Sequence, residues 1–520
     1  MVKSRKTIEE LLREALVLRE DQPYEIPDNW IWTDLKAIAA YIQRGRSPKY
    51  VEQSGVRVVS QKCVQWSGFD ISLARYIDEN SLKNYKAERY LRKNDILWNS
   101  TGTGTIGRLA ILEDELEGIT VADSHVTVVR PNNNVVISKL LFKWLSSPYV
   151  QNKLNNLWSG STNQVELNLI TVKNQLVPLP PYKEQKRIVE KVERILNKIE
   201  VAKQLIEESK EMFELRRASI FDKAFRGELT CKWKKDNDCG EKPDVLLKKI
   251  QECNDDNYLE KVKLAKVNGQ SKPKKLDRSV INDPHPNINI PSTWEWVQLG
   301  DLIDDLTDYH ANGSYKILKE HVELLDAPNY ACMIRATNFE QNNFSSVMKY
   351  ITKSAYDFLA KSKLYGGEIL ISKIGNTGSV YLMPNLNKPC SLAMNLFALR
   401  ISKYVDNEFV YYYLKSPMGS ANIDKYVRGV TTTSIDKKSV RSVWVPLPPI
   451  NEQLEIKRLL KKCLSNEKDE QEMLKVAMNN LDSIKQSILS KAFRGELGTN
   501  DPSEENAIEL LKEILQKQVK

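Results

Sequence analysis

Four histidines in 520 residues leave little imidazole for metal or acid–base chemistry. His125, His285, His310 and His321 are scattered, without the HExxH spacing that sets two ligands on one helix face. The seven cysteines, Cys63, Cys231, Cys239, Cys253, Cys332, Cys390 and Cys463, include no CxxC pair. That argues against a zinc ribbon or a disulfide framework and suits a reduced, cytoplasmic setting. No run approaches the roughly 18 apolar residues of a membrane span, and the opening "MVKSRKTIEELLREAL" carries no apolar signal segment, so no membrane partner is expected. A GxxxxGK[ST] loop for ATP is missing, as is a carboxylate–lysine cluster of the nuclease kind. No cofactor and no bound metal are expected.

What is present is a globular composition, 41% hydrophobic and 28% charged, in a chain too long for one ordinary core. Two or more domains follow. The net charge of +9 is compatible with a polyanionic partner without requiring one.

"NSTGTGTIGR" at 99–108 contains Gly102-x-Gly104-x-x-Gly107, the spacing of a dinucleotide-binding loop. Such a loop needs a helix behind it, so that backbone N–H groups point at the phosphates. Here "NDILW" before it and "RLAILEDE" after it both read as strands, which makes the glycines a turn. A related loop further on, "KIGNTGSV", keeps two glycines, Gly375 and Gly378, and loses the spacing. The loop is therefore read as architecture with polar tips, among them Asn99, Thr103, Ser372 and Thr377.

The strongest signal is duplication. "VPLPPYKEQ" at 177–185 recurs as "VPLPPINEQ" at 445–453, and "KAFRGEL" at 223–229 recurs at 491–497, both 268 residues later. Between these anchors the composition changes but the length does not. A 4-3 spacing runs through Ile188, Val192, Ile195, Ile199, Ile206 and Phe213 in the first copy, with Ala202, Ser209, Arg216 and Ile220 in phase. In the second it runs through Ile456, Leu460, Leu474, Leu481, Ile484 and Ile488, with Cys463, Glu467, Glu470 and Ala477 in phase. Both segments read as long helices with a coiled-coil seam, each a rod of roughly 60 Å. A charge at Ile195 or Ile484 is expected to break the rod pairing and leave the flanking domains folded.

The repeat extends outward. "EIPDNWIWTDL" (25–35) matches "NIPSTWEWVQL" (289–299), placing Trp30 and Trp32 against Trp294 and Trp296, aromatics suited to plugging a domain base. "IEELLREA" near the start resembles "DVLLKKI" at 244–250 and "AIELLKEI" at 507–514. The expected organisation is an N-terminal helix closing a circular repeat (1–22), a first α/β domain (23–177), a helical spacer (178–230), a connecting helix and polar linker (231–286), a second α/β domain (287–445), a distal spacer (446–498) and a C-terminal helix (499–520). The two domains share landmarks only, such as "SSP" (146–148) against "KSP" (415–417) and "GSTNQ" (160–164) against "GVTTT" (429–433).

Two variable domains alternating with length-matched helices, each entered through "PLPPxxEQ" and left through "KAFRGEL", resemble a type I restriction–modification specificity subunit. The resemblance covers nearly the whole chain. It implies an α+β molecule: two globular α/β target recognition domains separated by two long antiparallel coiled-coil helices, with pseudo-two-fold symmetry. It further implies that each domain reads one half of a split site on double-stranded DNA. The helices would set the separation and dock two methyltransferase subunits, and restriction subunits would join the full complex. Because the two readers differ, the bipartite target should be asymmetric. Catalysis is not expected of the chain itself. An amino-methyltransferase needs Asp, Asn or Ser ahead of Pro-Pro-aromatic, and "PLPPY" offers Leu179, which accepts no hydrogen bond. The competing reading is a coiled-coil scaffold whose globular domains bind proteins.

Base edges are read by Arg, Lys, Asn, Gln, Ser or Thr presented on loops. In the first domain the candidates are Arg44, Arg46, Lys49, Gln61, Lys62, Ser100, Thr101, Thr162, Asn163 and Gln164. In the second they are Lys316, Arg335, Asn338, Lys373, Asn376, Thr431, Thr432 and Thr433. Ser124 with His125, and Met394 with Asn395, occupy matching places before a strand and suit either contact or packing.

Overall fold

A computed structural model of the chain describes residues 7–102, 104–154, 166–269 and 271–519. It contains two compact units, Met1–Glu207 with Leu474–Lys520, and Glu208–Met473. The division falls inside two 44-residue helices, Tyr182–Phe225 and Ile450–Phe493, so each unit holds one α/β domain and half of each helix.

The α/β domains are built on one plan. In the first, an antiparallel sheet runs Ala39–Arg44, Val126–Pro131, Ile96–Asn99, Leu109–Ile111 in spatial order. In the second the order is Ile303–Asp308, Leu396–Ile401, Ile369–Ser372, Val380–Leu382. Each domain adds a smaller four-stranded sheet with one parallel pair, Val56–Val59 with Ile119–Ala122 at its edge in the first and Ala331–Ile334 with Cys390–Leu392 at its centre in the second. A short antiparallel pair closes each base, Ile31–Asp34 with Leu176–Leu179 and Glu295–Gln298 with Trp444–Leu447. These last strands run straight into the "PLPP" turns, so the helices leave from the domain floor.

The repeated motifs are one buried socket, made twice. Glu184, Gln185, Glu452 and Gln453 have no solvent exposure. Glu184 accepts the Trp30 indole N–H (2.7 Å), the Thr499 hydroxyl (3.1 Å) and the Asn500 amide (2.9 Å). Glu452 accepts the Trp294 indole N–H (2.9 Å) and the Thr230 hydroxyl (2.6 Å), with the Lys234 ammonium 3.0 Å away. Each neighbouring glutamine donates to the carbonyl of the first proline pair, Gln185 to Pro180 (3.0 Å) and Gln453 to Pro448 (2.8 Å). Each also accepts a backbone N–H ahead of a domain helix, from Ile137 and from Asp406, both at 2.9 Å. A carboxylate without water is tolerated only with such a full set of donors.

"KAFRGEL" completes the socket from the other helix. Gly227 and Gly495 have φ of +72° and +74°, ending their helices with a left-handed residue. A Cβ on Gly227 would lie 2.4 Å from Pro291 Cγ, and one on Gly495 2.4 Å from Pro27 Cγ. The proline belongs in each case to the "IP" that precedes the socket tryptophan. Above it sit Phe493 against Trp144, and Phe225 against Tyr413, with ring centroids at 5.0 and 5.2 Å. Trp144 and Tyr413 are themselves equivalent, each donating at 2.8 Å to the floor strand, at Leu176 and Trp444.

Within each unit the half-helices pack antiparallel. Glu200 faces Lys485 at 3.7 Å in one, and Arg216 faces Glu470 at 3.2 Å in the other. Ile188, Val192, Ile199, Ile206, Ile456 and Leu460 are buried, whereas Ile195, Phe213, Leu474, Leu481 and Ile488 are half-buried. Glu467 and Glu470, charges in the expected apolar seam, face Arg217 and Arg216. Ile484 departs from the expected seam, with 46% of its surface exposed. After Leu481 the covered line steps to Lys485 and Leu489, because a straight helix of 3.6 residues per turn drifts off a strict 3.5-residue repeat.

Two outcomes follow for chemical denaturation of the full chain. Ile484→Asp should change stability by less than about 0.5 kcal/mol, the ordinary surface value, whereas Ile199→Asp should cost more than about 3 kcal/mol by burying an unpaired charge. Gly227→Ala should cost about 2 kcal/mol from backbone strain and the clash with Pro291, and Pro291→Ala in the same chain should recover part of it.

Candidate nucleic-acid interface

At one end of the main sheet of the first unit, the strands ending at Arg44 and Asn99 meet the start of the strand Val126–Pro131. Backbone bonds tie the loops there together: Gly45 N–H to Val126 O (2.9 Å), Arg46 N–H to Ala122 O (3.2 Å), Ser100 N–H to His125 O (2.9 Å) and Leu167 N–H to Ser100 O (2.8 Å). Side chains add Thr101 Oγ1 to His125 Nδ1 (2.7 Å), Thr105 Oγ1 to Gln61 Oε1 (2.8 Å) and Ser47 to Ser124 (2.9 Å). The GxGxxG segment is the turn between antiparallel strands, Trp98 pairing with Leu109, and no helix opens behind it. Gly102 and Gly107 take φ of +88° and +87°, as a turn requires.

The second unit repeats part of this arrangement, two backbone bonds and one bridge. Lys373 N–H donates to Asn395 O (2.8 Å) and Ile435 N–H to Lys373 O (3.2 Å), matching the bonds through Ser100. The bridge between Thr101 and Glu166 has its counterpart between Ile374 and Ser434. Gly375 and Gly378 again take positive φ, +91° and +85°. Thr377 and Thr433 join their hydroxyls at 3.0 Å across the loops. A cleft of about 390 Å3 opens here, lined among others by Tyr309, Met333, Arg335, Ile374, Asn376 and Met394.

The candidates sort into three groups. Arg46, Lys49, Lys62, Lys316, Asn376, Thr431 and Thr432 are exposed, Asn376 donating to Glu340 at 2.6 Å. Gln61, Thr101, Arg335 and Thr433 are half-buried at the loop ends. The rest serve the fold. Ser100 and Asn338 are fully buried, Ser100 on Thr127 (2.6 Å) and Asn338 on the backbone of Arg335, Asn343 and Val347. Both are corrected from contact residues to packing residues, since a polar group shut off from solvent reaches no base. Arg44 is spent on Glu166 and the Leu167 carbonyl (2.7 Å). Lys373 pairs with Asp308 (3.2 Å). Thr162, Asn163 and Gln164, with Thr103, lie outside the described residues.

Sequence reasoning missed Asp308, Lys437 and Arg428. Asp308 sits between Lys437 (2.7 Å) and Lys373, while Arg428 is exposed and its backbone pairs with Ser434. Burial pushes the Asp308 carboxyl up, but the hydrogen bonds and charges of Lys437 and Lys373 outweigh it and hold the group below its usual value. Among the described residues no group of three His, Cys, Asp or Glu is placed to hold a metal, and no helix is long and apolar enough to cross a membrane.

Two loop ends of one design carrying different side chains define a class of protein, a paired recognition module. The comparisons give the family. The chain matches the type I restriction modification DNA specificity domain over residues 52–211 and 291–475, two thirds of its length, and belongs to that family. It is thus a DNA-specificity subunit, a recognition component rather than an enzyme. It is similar to the type I restriction enzyme EcoKI specificity subunit of Escherichia coli K12, 22% identical over 91% of this chain and 90% of that one. The putative MjaX specificity subunit of Methanocaldococcus jannaschii is 24% identical over 84% and 87%. The EcoBI specificity subunit of Escherichia coli is 30% identical, but the match spans about half of each chain (46% and 47%). The fold resembles the crystal structure of the HsdS subunit from Thermoanaerobacter tengcongensis (TM-score 0.52, 21% identity, 91% and 99% covered). It also resembles a chain from a study of assembly and conformational transition in the type I R-M system (TM-score 0.61, 20% identity, 91% and 100% covered).

The lowered Asp308 carboxyl predicts a pH dependence. A group depressed in the folded state stabilises above its unfolded value and loses that contribution as pH falls through the carboxylate range. Asp308→Asn should therefore lower stability at pH 7 by on the order of 2 kcal/mol, as for a hydrogen bond to a charged group. The difference from the parent chain should shrink as denaturation is repeated at progressively lower pH.

Proposed function

We propose that this chain selects an asymmetric, bipartite DNA site for a type I restriction–modification complex in the cytoplasm. The loop end of the first domain reads one half and that of the second domain reads the other. The paired helices set the separation and, with the adjoining domain edges, dock two methyltransferase subunits; restriction subunits complete the assembly. The observation that carries this reading is the twin loop end, in which matching backbone bonds hold Thr101 and His125 in one copy and Ile374 and Asn395 in the other. A common frame with different tips suits two readers of one kind with different targets. Exposed Arg46, Lys49 and Lys62 beside the first end, and Lys316 and Arg428 in the second domain, suit phosphate contacts that orient the protein without specifying sequence.

The decisive experiment is a base-resolution methylation map of cells carrying the methyltransferase partner, with and without this gene. The expected result is one split, asymmetric motif of fixed spacer that loses methylation when the gene is removed. Identical maps in cells whose methyltransferase is demonstrably active would favour the protein-binding scaffold instead. In binding assays, Arg46→Ala or Lys49→Ala should weaken all DNA alike and reduce the slope of log affinity against log salt by about 1.

A further inference from the structure

We propose that the second domain reads a thymine through its 5-methyl group, with Ile374 and Met394 as the specificity-determining contacts. This rests on the reading of its loop end as DNA-facing. The shared backbone bonds place Ile374 where the first domain has Thr101, and Met394 where it has Ser124. In the first domain both positions are polar and engaged, Thr101 with His125 (2.7 Å) and Ser124 with Ser47 (2.9 Å). In the second they are large, apolar and open to solvent, 39% exposed for Ile374 and 43% for Met394.

Both side chains line the 390 Å3 cleft together with Met333 and Leu396, which are buried. Among the atoms that base pairs present in the major groove, the thymine methyl is the apolar one; the others are hydrogen-bond donors and acceptors that an Ile–Met tip would strip of water and leave unpaired. The surroundings fit the edge of a duplex. Lys373 and Lys437 share the carboxylate of Asp308, exposed Arg428 interacts with Asp436, and Glu340 lines the cleft with Arg335, four cations against three carboxylates. Arg335 lines the same cleft with one guanidinium nitrogen on Val347 O (2.7 Å), and its Nε has no partner among the described residues. The cleft therefore offers an apolar contact beside a cation and amide groups.

The test uses the full chain with its methyltransferase partner and duplexes carrying the motif found by methylation mapping. Each thymine is replaced in turn by deoxyuridine, which removes the methyl and leaves every hydrogen-bonding group in place. At one position in one half-site the affinity should fall about fourfold, the value of burying one methyl-sized group. Ile374→Ser with Met394→Ser should bind the thymine duplex correspondingly weaker and show no further loss with deoxyuridine there. Deoxyuridine effects in the other half should be unchanged by these substitutions. Motif-selective binding that is indifferent to every deoxyuridine, or deoxyuridine sensitivity that persists in the double variant, overturns the inference while leaving DNA recognition intact. Failure to prefer the motif over unrelated DNA overturns both.

Discussion

A buried carboxylate holds each half of this molecule together. Glu184 and Glu452 lie at the start of the long helices with no access to water, and each is held in place by an indole from the domain floor and a hydroxyl that follows the opposite helix. Three distant pieces of chain must therefore arrive together. If any one is missing, a desolvated charge is left short of donors, which costs more than the bond itself is worth. Each long helix has 44 residues, so the interval between the copies is 268 residues at both anchors.

Away from the sockets the requirements relax. The two recognition domains keep the strand order of the main sheet, the parallel pair of the smaller one and the backbone bonds at the loop end, but little sequence. Backbone geometry is the conserved quantity and side chains are free to differ where they meet solvent. Such an arrangement lets side chains differ at Thr101, Ser124, Ile374 or Met394 while the backbone bonds of the frame stay the same. Asn99, Ser100, Asp308 and Asn338 are a different matter: they are polar residues consumed in bracing the loops from behind.

The duplicated anchors made the architecture legible, because the socket needs the same residue types at the same spacing in both copies. The glycine loop was legible too, through the strands on either side of it. The recognition surface was far less so. Polarity on a loop does not reveal whether a side chain faces out or in, and Ser100 and Asn338 face in. Nor does a basic residue near a strand end reveal its partner: Arg44 is taken by Glu166 and Lys373 by Asp308. Ile484 misled because a heptad count assumes supercoiling throughout, whereas helical drift over the last turns moves the covered face to Leu489.

By itself, the sequence determined the number of domains, the paired helices and the family, since periodicity and repeated motifs are properties of residue order. Tertiary structure alone decided which polar loop residues stay exposed and which are consumed in bracing. It also decided that Ile374 and Thr101 stand at one and the same place in two domains, because that equivalence is carried by backbone hydrogen bonds rather than by the residues themselves.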